Sequence, residues 1–184
     1  MPLQIHVKGG ELFDEASSSF ITVNDTNLIL EHSLISISKW EMKWHIPFLD
    51  DKKEKTKEQL LYYFYCMVVS PKEVDQNIFR YLTQAQQMEI LNYIKNPMSA
   101  TTITVYKKTR NKEIITSELI YYWMCGNQIP FECEKWHLNR LLNLIQICGI
   151  KNDPKGGKKM GKKDIISQND KINDMRRKMM KTKG

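Results

Sequence analysis

The residues best spaced for chemistry are Cys133 and His137, four apart and so one turn apart on a helix. A thiolate and an imidazole at that spacing can ligate zinc, but a structural zinc site needs four ligands. No second close pair of Cys or His exists, and there is no CxxC. A nucleophilic pair built from Cys133 and His45 has no support either, because nothing in the sequence brings the two together. Lys155-Gly156-Gly157-Lys158 lacks the preceding strand, the spacing and the Ser/Thr of a phosphate-binding loop. The expectation is a non-enzymatic protein with no metal and no cofactor, in which His137 is a hydrogen-bonded core histidine.

The elements that would carry these residues are legible from periodicity. Leu3, Ile5 and Val7 alternate as in a half-buried strand, which Gly9-Gly10 interrupts. Phe20–Val23 and Leu28–Leu30 read as two more strand segments joined by the turn-prone Asn24–Asn27. A small antiparallel sheet of two or three strands should therefore open the chain. Glu31–Leu49 then reads as a helix capped by Ser33 and closed at Pro47. Leu34, Ile37, Trp40, Trp44 and Phe48 share one side of it, with Lys39 and Lys43 opposite and Glu41–His45 as an (i, i+4) pair at the border. The tryptophans suit a core, and they also suit an exposed hot spot for a partner.

Thr56-x-x-Gln59 and Thr83-x-x-Gln86 are capping boxes. The first opens a helix with Leu60, Leu61, Tyr63, Phe64, Met67 and Val68, ending before Pro71. The second opens one with Met88, Leu91 and Ile94, ending at Asn96-Pro97. Asp75–Leu82 reads as a short helical turn between them. Thr101–Tyr106 and Glu113–Thr116 read as a hairpin, followed by a helix from Thr116 or Ser117 to a left-handed cap at Gly126-Asn127. The longest helix is expected over Glu132–Cys148, capped by Gly149. Leu138, Leu141, Leu144, Ile145 and Cys148 lie on one of its faces, Trp136 and Ile147 on a second.

Charge divides the 184 residues in two. The net charge is +7, but residues 151–184 hold twelve Lys and Arg against four Asp, a net +8, which leaves residues 1–150 at −1. Lys151–Lys163 has the composition of a flexible linker. Asp164–Met180 repeats Ile165, Ile172 and Met179 every seven residues, a narrow stripe that makes a marginal helix in water. The organisation predicted is a globular domain over 1–150 and a basic arm over 151–184. The fold class is α+β, mainly α-helical, with a small N-terminal sheet, an inserted hairpin and the basic arm. The arm has no aromatic residue, so base stacking is excluded there and nucleic acid is a disfavoured partner, reached only by phosphate neutralisation. A tail that folds on a protein and a solubilising tail both remain. No apolar run is long enough to span a bilayer and the N-terminus does not read as a secretory signal, so the chain is expected to stay in the cytosol. Its four cysteines, Cys66, Cys125, Cys133 and Cys148, read as buried free thiols.

Several stretches resemble a family of small proteins of tailed bacteriophages, the tail assembly proteins or tail assembly chaperones. They are Glu11–Glu15, Glu31–Leu34 with Ser38–Glu41 and Lys43–His45, Pro47–Leu49, Pro130–Cys133 with Lys135–Leu142, Lys162–Asn169 and Lys181–Gly184. The resemblance implies a non-enzymatic assembly factor in the host cytoplasm that coats the tape-measure protein until tail-tube subunits replace it. It offers no catalytic residues. The expected partners are phage tail proteins, with self-association possible and no membrane. The residues expected to hold a partner are Trp136, Arg140 and Ile147 on the body, and Ile165, Ile172, Met175, Arg176, Arg177 and Met179 on the arm. A structural virion protein of the neck or tail, and a non-specific nucleic-acid binder, are the competing readings.

Overall fold

The computed structural model describes residues 1–14, 18–50, 52–101 and 113–152. The fold is α+β and mainly helical. Met1–Ile147 forms one compact unit, and the second unit, Cys148–Gly184, is described only over 148–152.

The chain opens with a β-ribbon. Strand β1 (Leu3–Val7) pairs antiparallel with β4 (Thr26–Leu30), and β2 (Gly10–Asp14) pairs with β3 (Ser19–Val23). Leu3 faces Leu30, Val7 faces Thr26, Gly10 faces Val23 and Asp14 faces Ser19, so both pairs follow one continuous register. The expected turn at Asn24–Asn27 does not join β3 to β4 as neighbours; each pairs instead with an earlier strand. β2 lies where no strand was expected, because Gly9-Gly10 interrupts the ladder without ending it. At that interruption the Gly9 N–H donates to Asp25 Oδ1 at 2.9 Å. A Cβ on Gly9 would lie 1.9 Å from the Val23 carbonyl oxygen, so only glycine allows this backbone approach.

Helix α1 (Leu34–Trp44) starts where Ser33 accepts a hydrogen bond from the Ser36 N–H. It stops at His45, whose φ of 53° is left-handed, and not at Pro47 as expected. Leu34, Ile37 and Trp40 are fully buried, while Trp44 at the last turn is only half-buried. Thr56 and Gln59 form the expected capping box for α2 (Lys57–Cys66), and Thr83 and Gln86 that of α3 (Gln84–Lys95). Met67 and Val68 were expected on α2. Met67 is instead its cap, and Val68 begins strand β5 (Val68–Ser70), which adds to β4 to give the sheet order β1-β4-β5. The unsatisfied edge of β4 takes these residues out of the helix. The expected turn before α3 is a 3-10 helix, Gln76–Tyr81. On α3 the buried face is Ile90 and Tyr93, with Met88 exposed and Leu91 and Ile94 half-buried.

Helix α4 (Ser117–Gly126) begins at Thr116 as expected. Its end differs: Asn127 is not left-handed, and the positive φ falls on Gln128. The first arm of the expected hairpin lies mostly outside the described residues, and Glu113–Thr116 is irregular. The longest expected helix is two elements. Phe131–Lys135 is a 3-10 helix, Trp136 is extended, and α5 (Leu138–Asn152) begins later and runs through Gly149. Pairing with the chain before α1 makes the break: Ser33 and His137 form an antiparallel bridge, and the Leu138 N–H donates to His32 O at 2.7 Å. Of the cysteines, Cys66 and Cys133 are buried, Cys148 is half-buried and Cys125 is exposed; all are free.

Glu41 ties two helices together from inside. Its Oε1 accepts the Phe48 N–H and its Oε2 the Ser117 N–H, each at 2.8 Å. Expected to orient the end of its own helix with His45, the Glu41 side chain instead takes the Phe48 N–H and sits at the positive N-terminus of α4. In Glu41→Gln one backbone N–H would face an amide N–H₂, costing about 1–3 kcal/mol, to be read from the urea midpoint. Gly9→Ala should lower the melting temperature, whereas alanine at Gly149, whose Cβ would meet open space, should not.

Candidate functional site

His32 and His137 stack edge to face at the centre of the molecule, ring centroids 5.0 Å apart. His32 Nδ1 bonds the Tyr63 hydroxyl of α2. His137 Nε2–H donates to the Tyr93 carbonyl of α3 at 3.0 Å, and its Nδ1 accepts the Asn139 N–H at 3.3 Å. That pair of bonds defines a neutral imidazole with its proton on Nε2. The Tyr93 hydroxyl donates to Glu31 Oε1 at 2.6 Å, completing the cluster. His137 is the hydrogen-bonded core histidine that its position on the leucine face suggested. Among the described residues no three His, Cys, Asp or Glu side chains are grouped to hold a metal.

Burial, reinforced by the neighbouring His137, pushes the His32 pKa down to about 3. Burial also lowers that of His137, against the raising effects of its bond to the Tyr93 carbonyl and of Glu31. Desolvation, Cys66 and Glu31 raise the Tyr63 phenol well above its ordinary value. The two imidazoles are thus held neutral and are part of the core.

The body residues expected to contact a partner are split by the break before α5. Trp136 precedes the helix, and Arg140 on its first turns lays its guanidinium over the indole, 4.1 Å from the ring centroid. Trp136 and Ile147 are half-buried and Arg140 is exposed. Ile165, Ile172, Met175, Arg176, Arg177 and Met179 lie outside the described residues.

Two surface features escaped the sequence reading. Phe13 and Phe20 face each other across β2 and β3, centroids 5.2 Å apart, with 53% and 69% of their surfaces exposed. Phe20 lies in an expected strand, but Gly10–Asp14 (GELFD) has adjacent Leu12 and Phe13 and no apolar–polar alternation, so its sequence does not announce β2. The second feature grows out of the tryptophan face. From buried Trp40 a run of rings passes through Trp44, Tyr62 and Tyr65 to Phe79, with neighbouring centroids 5.8–6.4 Å apart. The Trp40 indole N–H donates to the Gln59 carbonyl at 2.9 Å, whereas the buried Trp44 Nε1 has no hydrogen-bond partner among the described residues. A hollow of about 160 Å³ opens there, with Lys43, Trp44, Tyr62, Tyr65, Glu58 and Arg80 among its walls.

A larger hollow, about 500 Å³, lies between the end of α1 and the start of α4. Glu41 lines it, but both carboxylate oxygens are engaged by backbone N–H groups.

No protein-family model, no curated protein and no solved structure matches this chain. Among the described residues no helix is long and apolar enough to cross a membrane.

The histidine cluster makes stability depend on pH with a defined sign. A folded pKa below the unfolded value of about 6.5 means that the unfolded chain binds more protons as pH falls. The stabilisation is present above about pH 6.5 and is lost on going towards pH 3, by up to about 1.4 kcal/mol per pH unit for His32. Thermal melts should fall from pH 7 to pH 5. His32→Gln should melt lower at pH 7.5 and show a shallower slope; an unchanged slope would exclude His32 as its source.

Proposed function

We propose that this chain is a non-enzymatic assembly factor of the phage-tail type, acting in the host cytoplasm by holding other tail proteins, the tape-measure protein first. The resemblance of Ser38–Glu41, Lys43–His45 and Lys135–Leu142 to tail assembly chaperones suggests this role. The observation that supports it is the exposed Phe13–Phe20 pair on paired strands. Aromatic side chains held in fixed positions contribute large contact area at small conformational cost. The Trp136–Arg140 stack offers a second contact of the same kind, Trp and Arg being residues that dominate interface energetics. The basic arm, at +8, would add attraction to an acidic partner and raise its association rate.

Co-expression with the tape-measure protein of the same phage tests this reading. The tape-measure protein should be soluble with this chain and aggregate without it. Replacing Phe13 and Phe20 together by Ser should return most of it to the pellet while leaving this chain folded by circular dichroism. Equal solubility with and without the chain would reject the chaperone role.

A further inference from the structure

Tyr62 and Tyr65 of α2 line two hollows, the one beside Trp44 and a larger one of about 270 Å³. The walls of the larger one also carry Lys39 and Met42 of α1, and Val68 and Lys72 from β5 and the chain after it. Among the described residues no carboxylate lines it. Lys39 and Lys72 are exposed, and among the described residues neither is in an ion pair or lies over an aromatic ring. The two tyrosine rings are half-buried, with centroids 5.8 Å apart. Lys43 Nζ, 4.2 Å from the Tyr62 ring centroid, belongs to the walls of the smaller hollow and not to these.

We propose that this face binds single-stranded nucleic acid without regard to sequence, a base lying against the rings of Tyr62 and Tyr65 while its phosphates meet Lys39 and Lys72. Every base has a π-face that stacks on an aromatic ring, and every phosphate carries a charge that a free ammonium neutralises. The larger hollow has room for one base with its sugar. The smaller hollow continues the track: it shares both tyrosines and adds Lys43 and Arg80 against Glu58, so the two together present four cations and one carboxylate. An acidic peptide would answer the lysines and leave the rings uncovered; a ligand with flat apolar faces between its charges matches both. The arm, at +8 and without an aromatic residue, can neutralise phosphates but cannot stack bases, and the rings of the body supply what it lacks. The site lies on other elements than the Phe13–Phe20 pair and does not rest on the chaperone reading.

Fluorescence anisotropy of a labelled oligothymidylate, titrated with the full chain at low salt, tests the site. Tyr62→Leu should weaken binding about tenfold, as loss of one stacked base does, with its salt dependence unchanged because no charge is lost. Tyr62→Phe keeps the ring and should bind as the parent chain does. Lys39→Gln combined with Lys72→Gln, both at exposed positions, should lower the slope of log affinity against log salt by about 1.4, two single-strand phosphate contacts. The arm binds by charge alone, so equal affinity of a folded Tyr62→Leu chain and its parent would overturn the site. An unchanged salt slope in the lysine variant would do the same, as would equal competition by an abasic oligomer of the same length. These last two measurements decide the question should Tyr62→Leu fail to fold by circular dichroism. Polyglutamate binding more tightly than the oligonucleotide would overturn nucleic acid as the occupant, and no binding at low salt would overturn the proposal outright. None of these results depends on whether the chain keeps a tape-measure protein soluble.

Discussion

The contact between residues 31–33 and 136–138 is the constraint on which the rest of the body depends. Two backbone ties, the Ser33–His137 bridge and the Leu138 N–H to His32 carbonyl bond, join segments more than a hundred residues apart. The two imidazoles between them then reach Tyr63 on α2 and Tyr93 on α3. One small polar cluster thus connects the end of the ribbon, both central helices and the start of α5. Such a cluster is stabilising only when every member is satisfied, since an unmatched buried polar group is costly. Here each imidazole finds its partner without carrying charge. The arrangement specifies where α5 can begin, and an apolar contact of the same size would leave that start free to slide along the helix.

Glu41 does the same work at the other end of α1, between the Phe48 and Ser117 N–H groups. The first helix is therefore fixed at both ends by polar groups and along its length by Leu34, Ile37 and Trp40. This division suits a chain whose helices are short. Helices of ten to fifteen residues are marginal alone, and their positions come from tertiary contacts. Side-chain caps such as Thr56–Gln59 begin them, and buried hydrogen bonds orient them.

What was legible in the sequence follows from how local each cause is. The capping boxes at Thr56 and Thr83, the Ser33 cap and the alternation of Leu3, Ile5 and Val7 act within a few residues, and each element lies where they place it. The misplaced boundaries have distant causes. Glu132–Lys135 carries a helical pattern, yet pairing with His32 and Ser33 interrupts it. Val68 continues the apolar run of α2, yet the open edge of β4 draws it into a strand. His45 ends α1 in a left-handed conformation that its residue type does not announce. Of the expected contact residues, Trp136 and Arg140 do meet, but across the break before α5 and not along one continuous helix.

The same logic separates the two tryptophans that share a helical face. Periodicity puts Trp40 and Trp44 on one side of α1 and cannot tell them apart. What separates them is how much chain lies beyond each. Trp40 sits mid-helix under α2, with its N–H given to the Gln59 carbonyl; Trp44 sits in the last turn, where the chain leaves through His45 and, among the described residues, no carbonyl reaches its ring nitrogen. The same residue type four positions apart is thus fully buried mid-helix and half-buried in the last turn, and the end of the helix makes the difference. Burial along this stretch falls off from Trp40 to Trp44. The rings are fully buried at Trp40, and at Trp44, Tyr62 and Tyr65 they come to line a hollow, with the Lys43 ammonium 4.2 Å from the Tyr62 ring centroid.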